Sequence, residues 1–87
     1  MKHATDKTLD RIEDLLATVR SYAALREKKR GIFYYKSSAF LHFHEDAAGL
    51  FADLRIDNQF KRFAVNTGTE RKGFLAALRD AVQQHSD

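Results

Sequence analysis

The residues with the clearest chemical potential are His42 and His44, two apart in the run Phe40-Leu-His-Phe-His-Glu-Asp. Side chains alternate across a strand, so both imidazoles leave the same face, with Cα atoms about 7 Å apart. That spacing lets two histidines chelate one divalent metal ion. Asp53, placed opposite His42 by a hairpin, would complete a set of two histidines and one carboxylate. The same residues also have a plainer use. Arg55 and Arg62 can pair with Asp53, and His42 can hydrogen-bond to it, so the group can equally be a salt-bridged patch on a sheet.

A second set shares that face. Phe40, Phe51 and Phe60, beside Arg55 and Arg62, match a sheet that stacks single-stranded bases and holds their phosphates. Asp53, Glu45 and Asp46 oppose this by placing negative charge on or near the same surface. Covalent catalysis has little to work with: Ser37 and Ser38 fall in a turn with no base nearby. Gly68 is isolated and the Thr67-Gly68-Thr69-Glu70 stretch lacks the lysine of a phosphate loop. No catalytic residues are assigned.

The elements that must position these residues follow from pattern. Ala39 to Arg55 reads as two strands folded on each other. A loop of Asp46 to Gly49 sets His44 opposite Phe51, His42 opposite Asp53 and Phe40 opposite Arg55. In that register Leu41 meets Leu54 and Phe43 meets Ala52, whereas a slip of one residue would turn Leu54 onto the histidine face. Asp57-Asn58 forms a two-residue turn, because both tolerate positive φ. It brings Asp53 opposite Arg62 and Arg55 opposite Phe60.

Upstream, residues 1–4 are expected to fray. Leu9, Ile12, Leu16, Val19 and Ala23 recur at helical intervals, with Leu15 and Tyr22 beside them. Acidic residues lead this segment, and Arg26, Lys28, Lys29 and Arg30 close it, as a helix dipole favours. The pattern predicts a helix from Asp6 to Lys29, stopped by Gly31 in a left-handed cap. The basic cluster at its end is either a phosphate patch or a solvated helix terminus. Ile32 to Lys36 is predicted as a strand and Ser37-Ser38 as a turn. Thr67 and Glu70 have capping-box spacing and start a second helix that reaches about Gln84.

The expected fold is α+β: helix, four-stranded antiparallel meander, helix, as one domain over residues 1–87, with both helices on one sheet face. They would cover Leu41, Phe43, Leu50, Ala52, Leu54, Phe63 and Val65.

Composition narrows the classes. The chain has 87 residues, a net charge of +3 and no cysteine, so it offers neither disulfides nor a thiolate zinc site. No apolar run approaches the roughly 20 residues that span a bilayer. Eighty-seven residues lie near the lower end of what one core supports, and the far sheet face would expose three phenylalanines. A second copy of the chain is the simplest cover for them. The reading is a cytoplasmic, non-enzymatic homodimer that uses its second sheet face for self-association, and for a ligand or protein partner. Nucleic-acid binding is the rival, and metal binding by His42, His44 and Asp53 a third reading.

Overall fold

The computed structural model describes residues 2–85. They form an α+β fold of six strands and three helices: β1 (Lys2–His3), α1 (Asp6–Asp10), α2 (Glu13–Arg20), β2 (Leu25–Lys29), β3 (Ile32–Tyr35), β4 (Ser38–Asp46), β5 (Gly49–Ile56), β6 (Gln59–Ala64) and α3 (Gly68–His85). The strands make one antiparallel sheet in the order β2-β3-β4-β5-β6, with β1 paired to β4. None of these helices is long and apolar enough to cross a membrane.

The expected helix over Asp6–Lys29 is replaced by two short helices and a strand. Thr5 caps α1, its Oγ1 accepting from the Thr8 amide at 3.3 Å. The helix breaks at Ile12, whose φ of −122° and ψ of 28° are not helical, and α2 ends at Arg20. Beyond Ala23 the apolar repeat fails: Arg26 to Arg30 would be polar on every side of a helix and would bury nothing. As a strand, the same segment turns Leu25 toward the core and Glu27 toward α2, where Arg20 Nε donates to Glu27 Oε1 at 2.6 Å. Gly31 has φ +82°, but in the β2–β3 turn rather than as a helix cap. A left-handed glycine serves both purposes, so that signal could not separate them.

Around the central hairpin the expected pairing holds. Leu41 faces Leu54, His42 faces Asp53, Phe43 faces Ala52 and His44 faces Phe51. Asp53 faces Arg62 and Arg55 faces Phe60, across a turn in which Asp57 and Asn58 have φ of 52° and 66°. The β3–β4 turn lies at Lys36-Ser37, one residue earlier than expected, with Lys36 at φ 56°. Phe33 pairs with Leu41 but Tyr34 pairs with Ala39, so Phe40 is an extra, bulged residue. A bulge turns two successive side chains the same way. Phe40 is thereby buried in the core with Leu41, its ring 5.9 Å from that of Tyr35. This corrects its placement opposite Arg55 on the far face.

Leu9, Ile12, Leu16 and Val19 from α1–α2, and Phe74, Leu78 and Val82 from α3, join Phe33, Leu41, Phe43, Leu50, Ala52 and Leu54 in one buried cluster. Phe74 meets the edge of Phe43 at 5.9 Å between ring centroids. Residues 67–70 form the capping box: the Thr67 amide donates to Glu70 Oε1 at 3.0 Å and the Glu70 amide donates to Thr67 Oγ1 at 3.1 Å. The neighbouring Asn66 clasps β5, its Oδ1 accepting from the Leu50 amide at 2.8 Å and its Nδ2 donating to the Leu50 carbonyl at 3.2 Å.

Candidate binding face

Strand pairing fixes what the opposite sheet face presents, since paired residues share a face. Tyr34 pairs with Arg26, Ile32 with His42, His3 with His44, and the triplet His42–Asp53–Arg62 crosses three strands. Lys28 is a bulged residue of β2 whose Nζ stands 4.6 Å from the centroid of the Tyr34 ring, which places it on the same side. Of the residues singled out from sequence, His42, His44, Phe51, Asp53, Arg55, Phe60 and Arg62 come together here, and Phe40 does not.

At the centre Arg62 grips Asp53 with two bonds, Nε donating to Oδ1 at 2.8 Å and Nη2 to Oδ2 at 3.0 Å. This bidentate guanidinium holds the Asp53 carboxyl below its usual range, against the opposing push of partial burial. His44 Nδ1 also lies 3.0 Å from Asp53 Oδ2. Both carboxylate oxygens are therefore engaged. Among the described residues no group of three or more His, Cys, Asp and Glu side chains is arranged to hold a metal ion. The set His42, His44 and Asp53 shares a face without converging on a point.

A third histidine joins instead. β1 lays His3 beside His44, ring centroids 4.8 Å apart, and 5.9 Å from His42, which is itself 5.9 Å from His44. His42 also lies 5.2 Å from Phe60. Burial, then the neighbouring imidazoles of His44 and His3, lower the pKa of His42 against the pull of Asp53. Next to it the Arg55 guanidinium lies over the Phe60 ring at 5.3 Å. Its Nε is buried without a hydrogen-bond partner.

Sequence reasoning missed His3 and Tyr34, and placed Arg26 and Lys28 in the basic cluster read as a phosphate patch or a solvated helix end. A two-residue strand carries no periodicity, so His3 had no signal beyond being a histidine. Arg26 and Lys28 were assigned to a helix terminus; with β2 in place they flank Tyr34 at one side of the face. Arg30 of the same basic run goes elsewhere, to Asp6, Asp10 and Glu13 on α1 and α2. Comparison with known proteins adds no relative: no family model, curated protein or solved structure matches the chain.

Proposed function

We propose that the sheet face opposite the helices binds single-stranded nucleic acid without catalysing a reaction on it. The observation that carries this reading is a pair of cation–aromatic platforms, Lys28 with Tyr34 and Arg55 with Phe60, on one face. Tyr34 on β3 and Phe60 on β6 are three strand spacings apart, about 14 Å, with Arg55 between them on β5. Aromatic faces accept any base and cations track the backbone, which is the arrangement single strands use. The central acid, Asp53, is neutralised by Arg62 and does not repel a phosphate from this face.

Fluorescence anisotropy with a labelled uridine 12-mer RNA and its DNA counterpart tests the reading. Binding is expected at low salt and is expected to weaken steeply between about 50 and 200 mM salt, as displaced counterions require. Phe60→Ala should cost about 1–3 kcal/mol of binding through lost stacking. Absence of binding to both strands at low salt would remove the proposal.

Self-association through the same face is a second reading, favoured by Phe60. It is 43 % exposed, the most open large apolar side chain among the described residues, and it sits on the edge strand β6. With Phe40 in the core the apolar frame is Phe51 and Phe60 rather than three phenylalanines, so the drive to dimerise is smaller than the sequence suggested. Sedimentation equilibrium should give a dimer that Phe60→Ala converts to a monomer; a wild-type monomer at high micromolar concentration ends this reading.

A further inference from the structure

We infer that Arg55 and His42 form a subsite for one phosphate group of the bound strand, with the imidazoles of His44 and His3 beside His42, and that binding there takes up protons. The inference rests on the nucleic-acid reading above and specifies one contact within it.

Charge balance on and around this sheet is the first observation. Arg62 is committed to Asp53 by two bonds. Glu45 accepts from the Thr5 amide at 2.7 Å, and Asp46 from the Ala48 amide at 2.8 Å. Arg55 forms no ion pair with any described residue, and its Nε is a buried donor with nothing to donate to. Buried donors are normally satisfied, and an oxyanion is the acceptor that a guanidinium takes best.

Position is the second. Arg55 on β5 and His42 on β4 are diagonal neighbours on one face, a separation of about 7–8 Å between backbones. A phosphate accepting bonds of about 2.8 Å from each side fits between two such side chains. Phe60 contacts both, at 5.3 Å from Arg55 and 5.2 Å from His42. A base stacked on Phe60 would carry its own phosphate to this place, which favours a phosphodiester in a strand over a free anion.

The third observation is the histidine triangle, with ring centroids 4.8, 5.9 and 5.9 Å apart. His42 faces His3 from β1, His44 from its own strand, Asp53 and Arg55 from β5, and Phe60 from β6, while Ile32 on β3 brings no charge. Asp53 supplies the negative charge in that set and already faces Arg62. His42 is held toward its neutral form by burial and by the neighbouring imidazoles. A phosphate reverses the balance, because it interacts more strongly with imidazolium than with imidazole. By linkage, the ligand must then bind more tightly as the pH falls through the histidine range.

The test uses the full chain with three probes at constant ionic strength: the uridine 12-mer, the same strand with uncharged methylphosphonate linkages, and inorganic phosphate followed through histidine ring resonances. The RNA should bind about tenfold more tightly at pH 6 than at pH 8, as proton-linked binding requires. His42→Gln and His3→Gln, each checked for an unchanged melting temperature, should flatten that dependence. Arg55→Ala should weaken binding at both pH values, and the methylphosphonate strand should bind weakly and without pH dependence. RNA binding that ignores pH and survives Arg55→Ala would overturn the subsite while leaving the strand reading intact. A midpoint shift of His42 by inorganic phosphate, without RNA binding at either pH, would uphold the subsite and overturn the strand reading.

Discussion

Phe40→Ala is expected to lose about 3–5 kcal/mol of folding stability, the range for removing a buried phenylalanine side chain. Phe40 is 1 % exposed and lies in the same cluster as Leu41 and Phe43. A chain of 87 residues has a total stability of about 4–13 kcal/mol, so the substitution removes a large share of it. Urea denaturation should show the midpoint falling with little change in slope. Phe60→Ala is the contrasting case. Phe60 is 43 % exposed, so its removal should change stability by less than about 1 kcal/mol while weakening whatever binds the sheet face. The two phenylalanines were indistinguishable by alternation in the sequence, and their variants should separate completely. A loss below about 1 kcal/mol for Phe40→Ala would mean that Phe40 points away from the core, and the bulge would be wrong.

That bulge also marks where the sequence stopped being readable. Pairing of β4 with β5 was legible because Leu41, Phe43, Ala52 and Leu54 must all reach one core, and only one register allows it. Asp57-Asn58 and the Thr67–Glu70 box were legible because each is a local device whose chemistry needs no partner far along the chain. The Phe40 bulge depends on how β4 meets β3, which local alternation does not encode; the adjacent apolar pair Phe40-Leu41 was its only trace. β2 failed for a related reason. Leu25 to Lys29 is mostly charged, and such a strand exists because β3 offers an edge and α2 offers Arg20 to Glu27. The candidate site divides along the same line. His42, Asp53, Arg55, Phe60 and Arg62 lie on the three strands with readable registers, and their cross-strand pairing is as the sequence predicts. His3, Tyr34, Arg26 and Lys28 lie on β1 to β3, where tertiary pairing decided.

The second large effect belongs to Gly49→Ala, expected to cost about 3–5 kcal/mol from backbone strain of about 1–3 kcal/mol together with the broken Asn66 clasp. Gly49 has φ +131°, a region that residues with a Cβ rarely enter. A methyl group there would stand 2.5 Å from Asn66 Oδ1 and 3.0 Å from Cγ and Nδ2. Asn66 has little freedom to retreat. Its amide group holds both the N–H and the carbonyl of Leu50, and its own N–H donates to Glu70 Oε1 at 2.8 Å. The clasp thus ties the start of β5 to the start of α3, and a methyl group at 49 must break either the tie or the turn. Asn66→Ala alone should cost less, about 1–3 kcal/mol, since it leaves the Leu50 N–H unpaired without straining the chain, while the Leu50 carbonyl keeps the Val65 amide at 3.1 Å. The double variant separates the two causes by thermal or urea unfolding. If the clash dominates, Gly49→Ala adds little once Asn66 is truncated, and the coupling between the sites exceeds about 1 kcal/mol. Strictly additive losses would place the whole effect in the φ of residue 49 and none in the clasp.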